Sequence, residues 1–230
     1  MKEYVSRGEA LEDFHFVVND AGIWIGGYHS AWQWNEERKE WTEVPQPPEL
    51  QRYTKDVLDG LHFISALASR VVFVVRYEDG WFINSTNPAF TNQPQRWDTV
   101  HDPNGHPYPV RSKRFYVEQI VSTGPQAFIR TVDGRVLRLD ESGIDDTWAP
   151  GICDALTVTT GGHALALIRD QGIFEFDAQW KPRLGYPADL KVGVFSFPRL
   201  VESNGAVALS AYDKLWVSTK NEPLRPIWPQ

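Results

Sequence analysis

The chain of 230 residues has a single cysteine, no long apolar run and no N-terminal signal-peptide pattern. A disulfide needs two cysteines, so Cys153 cannot form one within the chain, which fits a reducing compartment. No stretch approaches the roughly 18 apolar residues of a membrane span. We therefore expect a soluble, cytoplasmic protein with no membrane partner. Cys153 stands at the start of an apolar strand pattern and is expected to be a small buried side chain.

The charge balance argues against a nucleic-acid partner. Asp and Glu number 30 against 23 Lys and Arg, which gives a net charge of −7. The longest basic stretch, at 111–114, is too short to neutralise a run of phosphates. Phosphate-binding glycine loops, nucleophile elbows, His-Glu-x-x-His and paired-cysteine motifs are all missing from the sequence. These absences lower the expectation of an enzyme, and we predict neither a cofactor nor a metal.

What the chain does have is a repeated hairpin pattern. An apolar run enters a tight turn, and a second apolar run leaves it. The five turns are Asn19–Gly22, Tyr77–Gly80, Val132–Gly134, Asp170–Gly172 and Tyr212–Lys214. A hairpin that recurs every 40–58 residues or so is the signature of a repeat architecture.

The fourth copy shows the plan of one unit clearly. Strands are predicted at 155–159, 164–169, 173–177 and 180–184. The third strand alternates apolar and polar residues, as a half-buried strand does, and the fourth contains Pro182, which an edge strand tolerates. No segment has a convincing helical period. The chain is therefore predicted to be all-β, a five-bladed β-propeller of four-stranded antiparallel blades.

The same plan, with Gly-Ile-Trp-Ile at 22–25 and Gly-Trp-Phe-Ile at 80–83, resembles the β-propeller superfamily, which includes kelch and WD-repeat proteins. The resemblance covers nearly all of the chain. The Gly-His and Trp-Asp pair of WD repeats and the double glycine of kelch blades are missing, so the subfamily is not identified. The resemblance implies a single propeller domain over 1–230, a fold that usually works by presenting surfaces.

Residues 84–114 interrupt the repeat and are predicted to form a long loop insertion. The segment is rich in proline and asparagine, and ordered loops of this length are usually functional. Its candidate partner-binding residues are Trp97, His101, Asp102, His106 and Tyr108. Trp and Tyr are frequent interface anchors. The two histidines and the aspartate have a spacing that could bind a metal, but an ordinary turn is favoured because no fourth ligand is in view.

Two tryptophans form a second candidate for partner binding. Trp32 and Trp34 are two residues apart and share one strand face. They could form an exposed platform for a partner or a sugar ring, although packing between blades is favoured. The charged residues 36–40 beyond them are predicted to be a solvent-exposed hairpin tip.

The third candidate is the acidic segment 140–148, with Asp145, Asp146 and Trp148 as its partner-binding residues. Its spacing does not match an EF-hand loop. Two of its carboxylates could serve a glycosidase, but the sequence does not fix their separation. A solvated acidic loop is the favoured interpretation, and a surface facing a basic partner comes next.

The leading functional hypothesis is a non-enzymatic module that binds a protein partner through one propeller face and the 84–114 loop. By analogy it would be an inhibitor or a bacterial toxin-immunity protein, and its net charge would steer it toward a basic partner. The alternatives are a carbohydrate-binding lectin and a propeller glycoside-processing enzyme. Trp24, Trp81 and Trp216 recur just after the turns, but Leu137 and Phe174 break the series. That pattern favours core residues over repeated sugar sites.

Overall fold

The computed structural model describes residues 15–19, 22–26, 31–43, 62–67, 70–77, 80–86, 97–99, 109–110, 117–140, 143–145, 149–192, 198–219 and 222–228. Every regular element in these ranges is a β-strand, which confirms the all-β prediction. The described part holds no helix of the length and apolarity needed to cross a membrane. The chain divides into two compact units, one of Met1–Tyr116 with Asp140–Ile144 and one of Val117–Leu139 with Asp145–Gln230.

The first unit contains two antiparallel sheets. Sheet 1 consists, in spatial order, of β1 (His15–Asn19), β2 (Gly22–Gly26), β3 (Ala31–Asn35) and β4 (Glu40–Glu43). Sheet 2 consists of β5 (His62–Leu67), β6 (Arg70–Tyr77), β7 (Gly80–Thr86), β8 (Trp97–Thr99) and β9 (Pro109–Val110). Both β8 and β9 pair with β7. The first strands of the two sheets, β1 and β5, lie side by side.

Three further sheets follow, each with four antiparallel strands in chain order. Sheet 3 consists of β10 (Val117–Ser122), β11 (Ala127–Thr131), β12 (Val136–Asp140) and β13 (Gly143–Asp145). Sheet 4 consists of β14 (Cys153–Val158), β15 (Ala164–Ile168), β16 (Gly172–Asp177) and β17 (Gln179–Gly185). Sheet 5 consists of β18 (Arg199–Ser203), β19 (Ala206–Ala211), β20 (Lys214–Ser218) and β21 (Arg225–Trp228). Apart from 140–144, these residues belong to the second unit.

In the second unit, successive sheets meet through their first strands. Strand β10 lies beside β14, and β14 lies beside β18. The Gln119 side chain bonds both backbone groups of Leu156, because its Nε2 donates to the carbonyl at 2.6 Å and its Oε1 accepts from the N–H at 3.2 Å. A side-chain amide thus takes the place of a strand peptide between sheets 3 and 4. Sheets placed side by side through their inner strands are the arrangement of propeller blades.

Large apolar side chains fill the gaps between these sheets. Between sheets 3 and 4, the rings of Phe128, Phe176 and Trp180 pack edge to face, with centroids 5.2–6.2 Å apart. Between sheets 4 and 5, Leu165 and Trp216 are fully buried in a second cluster. Alternation along the strands produces both clusters, because neighbouring residues of sheet 4 point to opposite gaps.

The segment 84–114 differs from the predicted uninterrupted loop. Residues 84–86 complete β7, and the short strands β8 and β9 pair with it. Pro109 is accommodated because β9 adds to the sheet as a short outer strand, where a missing N–H costs little. The acidic segment also contains a strand, β13, where a loop was expected. Strands this short carry too little alternation to be read from sequence.

The five predicted turns are not equivalent. The turn after Asn19 joins the first two strands of sheet 1. The other four turns join the second and third strands of sheets 2 to 5. The predicted unit, in which the repeated turn joins the second and third strands, therefore holds for sheets 2 to 5. Turn residues predict that a hairpin forms but not which two strands of a sheet it joins.

Sheets 3, 4 and 5 place their turns at two opposite ends. The first-turn side consists of residues 123–126, 159–163 and 204–205, and the second-turn side of residues 132–135, 169–171 and 212–213. The ends of successive sheets are aligned. Thr160 N donates to Glu202 Oε2 at 2.6 Å on the first-turn side, and Cys153 N donates to Gly134 O at 2.8 Å on the second-turn side.

Candidate functional site

A chain of four charged or titratable side chains crosses the gap between sheets 4 and 5 on the first-turn side. His163 Nδ1 lies 2.7 Å from Glu175 Oε1. The other oxygen of Glu175 accepts from Arg183 Nη1 at 3.1 Å. Arg183 Nη2 lies 3.8 Å from Glu202 Oε1 on β18. We call this chain the charged network. It links the last three strands of sheet 4 to the first strand of sheet 5.

Glu202 is the buried end of the charged network, with a side chain only 3% exposed. Its Oε2 accepts from the N–H and hydroxyl of Thr160 at 2.6 and 3.2 Å, and its Oε1 accepts from Gly205 N at 2.6 Å. Burial alone would raise the pKa of Glu202, but these hydrogen bonds and the charge of Arg183 hold it below its ordinary value. The ionised carboxylate ties the turns of sheets 4 and 5 together.

A bulge in β17 directs Arg183 into the gap. Pro182 lies opposite Phe174 and Leu184 lies opposite Ile173, so Arg183 is the extra residue. A bulge re-aims a side chain, and here it aims a guanidinium at two carboxylates. Pro182 predicted an edge strand, but Arg183 was not among the predicted site residues.

The proline recurs in other outer strands and is the sequence signal that was available. Pro226 lies opposite Trp216, with Ile227 as the extra residue, and Pro109 lies opposite Phe82. In three sheets, therefore, a proline faces the third residue of the strand that leaves the repeated turn. Aligning these prolines would have placed Arg183 at a bulge.

The His163–Glu175 pair has no counterpart in the neighbouring sheets. His163 directly precedes β15, and Glu175 lies on β16 opposite the second residue of β15. The equivalent positions hold Gln126 and Arg138 in sheet 3, and Gly205 and Ser218 in sheet 5. A requirement of the blade itself would recur from sheet to sheet, so this pair is specific to sheet 4.

The charged network forms one wall of an open cleft of about 610 Å³. Other lining residues are Thr159, Gly161, Asp177, Lys181 and Pro182. The His163 side chain is 42% exposed. Because a carboxylate only accepts, His163 Nδ1 carries the hydrogen toward Glu175, and Nε2 of the neutral ring remains an acceptor. The cleft thus contains a fixed imidazole between groups of both charges.

The second-turn side instead exposes apolar side chains. Val132, Ile152 and Tyr212 are 54%, 46% and 65% exposed. They come from the second turn of sheet 3, the start of sheet 4 and the second turn of sheet 5. Tyr212 has a φ of 54°, the left-handed conformation that glycine usually supplies, which explains how the fifth turn forms without a glycine. We call these three residues the apolar patch.

Most cations on the second-turn side are already paired. Arg135 bonds Asp133 at 2.8 Å, Arg169 bonds Asp154 at 2.6 Å and Lys214 bonds Asp189 at 3.0 Å. Asp170 and Asp213 make no ion pair in the described ranges, and neither does Lys191. Arg199, exposed at the start of β18 beside the 212–213 turn, makes no ion pair in the described ranges either, so the unpaired charges on this side balance.

A groove of about 740 Å³ opens beside Tyr212 on the same side. Its lining includes Leu190, Ala211 and the buried Trp216. Trp216 Nε1 donates to Asp189 Oδ1 at 3.0 Å. Hydrogen bonds from Lys214 first, and from Trp216, lower the pKa of Asp189. The groove therefore has an apolar floor and a charged rim.

Cys153 is buried, as predicted. Its Sγ donates to Ala155 O at 3.2 Å. Burial raises the pKa of the thiol to about 12, which outweighs the opposing effect of Arg130. The thiol is therefore protonated at neutral pH and poorly suited to act as a nucleophile.

The predicted tryptophan pair is half-buried on β3. Trp34 packs against Trp41 on β4, with ring centroids 5.4 Å apart at 62°, and its Nε1 donates to Glu36 Oε2 at 2.6 Å. Trp32 is two residues away on the same strand. Residues 36–39 form an exposed turn, which confirms the predicted hairpin tip. These contacts fit packing within the first sheet better than an open platform.

The other predicted site residues are scattered or lie outside the described ranges. Asp145 ends β13 and accepts from Arg138 Nη2 at 3.1 Å. Trp97 begins β8, opposite Thr86. The remaining predicted residues, which lie outside the described ranges, are His101, Asp102, His106, Tyr108, Asp146 and Trp148. Among the described residues, no group of three or more His, Cys, Asp and Glu is placed to hold a metal ion.

No family model and no curated protein matches the sequence. Solved structures do match. The chain is similar over 92% of its length to 27% of PorZ, a surface component of the type-IX secretion system of Porphyromonas gingivalis, with 13% identity and a TM-score of 0.56. A second match covers 95% of the chain and 61% of BamB from Moraxella catarrhalis, with 12% identity and a TM-score of 0.52. A third covers 94% of the chain and 47% of the dihydro-heme d1 dehydrogenase NirN, with 10% identity and a TM-score of 0.55.

These structures have β-propeller-type folds, so the chain has a propeller-type architecture. The likeness does not extend to the kelch or WD-repeat subfamilies. The chain spans less than two thirds of each of the three proteins. At 10–13% identity the likeness concerns the fold alone.

Proposed function

We propose that the chain is a five-bladed, single-domain β-propeller that acts as a non-enzymatic protein-binding module in the cytoplasm. Five antiparallel sheets, four of them with four strands and sheet 2 with five, support the blade count. The partner would contact the second-turn side of sheets 3 to 5. The 84–114 loop, which belongs to the other unit, stays a separately predicted partner-binding segment. The proposal includes the role of an inhibitor or a bacterial toxin-immunity protein, which rests on analogy with small acidic proteins of that kind.

The apolar patch is the observation that carries this proposal. Val132, Ile152 and Tyr212 come from three consecutive sheets, and each is between 46% and 65% exposed. Tyrosine is enriched at the centre of interfaces, and exposed apolar side chains gathered at one end of a molecule indicate a contact surface. The first-turn side of the same sheets has no exposed large apolar residue among its described turns.

Charge supports a basic partner. The whole chain has a net charge of −7, which favours a basic partner. Complementary charge speeds association and selects among partners more than it adds affinity. We therefore expect binding that weakens as salt rises.

Neither alternative gains a comparable observation. Trp24 and Trp216, the tryptophans of the repeated position that the structure describes, are fully buried and cannot stack on a sugar. Two of the three carboxylates of the cleft, those of Glu175 and Glu202, are tied to Arg183, and only that of Asp177 makes no ion pair in the described ranges. A glycosidase needs one carboxyl with a raised pKa, whereas that of Glu202 is lowered. A surface for protein is favoured over both.

Affinity capture with the immobilised chain tests the proposal. Lysate of the source organism is applied at low salt, bound proteins are identified by mass spectrometry, and the affinity of the purified partner is measured. We expect a basic protein that salt releases. The double variant Val132→Ser/Tyr212→Ser should bind it at least about tenfold more weakly, because interface anchors contribute more than 1 kcal/mol each.

Val201→Ser is the matched control. Val201 is 58% exposed, like Val132, but lies in the middle of β18 rather than at a turn. It should bind the partner as the unmodified chain does. Equal affinity of the partner for the double variant and the unmodified chain, or binding that is unaffected by salt, would contradict the proposed surface. An inhibitor should also abolish the activity of the captured protein.

A further inference from the structure

The cleft contains three polar groups that the charged network leaves unused. They are the Nε2 of His163, the carboxylate of Asp177 and the ammonium of Lys181. In the described ranges, neither Asp177 nor Lys181 makes an ion pair or a side-chain hydrogen bond. By contrast, Glu202 and Glu175 have both of their oxygens bonded.

The strand register brings these three groups to one face of sheet 4. In the strand register, Lys181 of β17 lies opposite Glu175 of β16. Asp177, two residues further along β16, is therefore the diagonal neighbour of Lys181, at roughly 7–8 Å between backbones. Ala164 pairs with Phe176, so His163 and Asp177 are the next residues outward on the two strands. An acceptor and a carboxylate are thus adjacent, with an ammonium a short distance away.

We propose that this cleft binds a small zwitterion, a primary ammonium group close to a carboxylate, as in an α-amino acid. The ammonium would donate to His163 Nε2 and to Asp177, and the carboxylate would accept from Lys181. This pattern uses all three spare groups with their correct hydrogen-bonding roles. A simple anion would meet Asp177, and a simple cation would meet Lys181, so neither fits the cleft as well.

The charged network gives this site its rigidity. Glu175 fixes the tautomer and orientation of the imidazole, Arg183 fixes Glu175, and Glu202 holds Arg183 against the backbone of two turns. A polar group held in place before binding loses less entropy when the ligand arrives. The absence of this arrangement from sheets 3 and 5 argues against a purely structural role.

Titration followed by NMR of the His163 ring tests the site on the intact chain. L-Alanine carries both groups, alaninamide lacks the carboxylate, and N-acetylalanine lacks the ammonium. We expect saturable shifts with alanine, weaker binding of alaninamide and none of N-acetylalanine. Dialanine distinguishes a free amino acid from a peptide as the ligand. A site for free amino acids should bind dialanine more weakly than alanine, and a site for peptides should bind it at least as tightly.

Two exposed-site variants assign the groups without threatening the fold. Asp177→Asn should weaken alanine binding about tenfold, the usual effect of losing one charge-assisted hydrogen bond. Lys181→Met should weaken alanine binding similarly but leave alaninamide unchanged. The matched controls Asp213→Asn and Lys191→Met lie on the second-turn side and should bind alanine normally.

Absence of a saturable shift with any probe would overturn the proposal. So would equal binding of alanine and N-acetylalanine, or an Asp177→Asn variant that binds like the unmodified chain. These outcomes do not depend on the protein partner proposed above.

Discussion

The gap between sheets 4 and 5 is closed by opposite chemistry at its two ends. On the first-turn side, Glu202 and Arg183 are nearly buried and joined to His163 through Glu175. On the second-turn side, Trp216 and Leu190 close the gap with apolar surface. Burying charges brings little net stability even when they are well paired, whereas burying an indole is strongly favourable. The apolar end should therefore provide the stability, and the charged end a fixed geometry.

The largest expected effect comes from the apolar end. Trp216→Ala should lower the free energy of unfolding by about 3–5 kcal/mol, because it leaves a cavity among buried leucines and removes a hydrogen bond to Asp189. Urea unfolding followed by circular dichroism measures it. Trp216→Phe keeps much of the ring and should lose only about 1 kcal/mol. Equal losses in the two variants would mean that the hydrogen bond, not the packing, stabilises this end.

A pair of glycines compares the turns of the two ends. Gly172 has a φ of 129°, and an added Cβ would collide with the carbonyl oxygen of Leu184. Gly172→Ala should therefore cost about 3 kcal/mol or more. Gly205, on the first-turn side, has a φ of 83° and open space around it. Gly205→Ala should cost only about 1 kcal/mol, the strain of the left-handed backbone. Similar losses in thermal or urea unfolding would show that crowding at Gly172 can relax.

Among Trp216→Ala, Gly172→Ala and the charged-end variant Glu202→Gln, the smallest loss is expected for Glu202→Gln, and it depends on pH. At neutral pH, Glu202→Gln should lose about 2 kcal/mol, because charge-assisted hydrogen bonds weaken. The folded pKa of Glu202 lies below its ordinary value of 4.5, so its contribution is full above that value and is lost as the pH falls through the folded pKa.

Urea unfolding of both proteins between neutral and acid pH measures this difference. The stability of the unmodified chain should approach that of the variant as the pH falls below 4.5. Glu222→Gln removes an exposed carboxylate that lies 3.8 Å from Arg225 and should have almost no effect at any pH. A gap between Glu202→Gln and the unmodified chain that stays constant with pH would contradict the lowered pKa.

The strands of sheet 4 were predictable because their signals are local. Alternation and turn residues placed strands at 164–169 and 173–177, and β15 and β16 occupy 164–168 and 172–177. The outer strand around Pro182 was also predicted. The position of the first turn, between the first two strands of sheet 1, was not predicted, and neither were the strands within 84–114. Strand pairing depends on residues far apart in the chain, so local patterns do not specify it.

The candidate sites were less predictable than the fold. Tryptophans and acidic clusters were the predicted sites because such residues often bind partners. Of these, Trp34 packs against Trp41, and Asp145 forms an ion pair with Arg138. His163 and Glu202 are 39 residues apart, with no motif to join them. Only the pairing of β15 with β16 and the packing of β18 beside β14 bring them into one network.

The sequence by itself determined the all-β class, the repeated hairpins, the acidic charge and the burial of Cys153. These follow from residue type and from periodicity along a few neighbouring residues. Tertiary structure decided which turns share a side, which side exposes Val132, Ile152 and Tyr212, and where Arg183 meets its two carboxylates. The physical reason is distance along the chain. Each of those features depends on contacts between sheets, and the residues that make such contacts carry no mark of their partners.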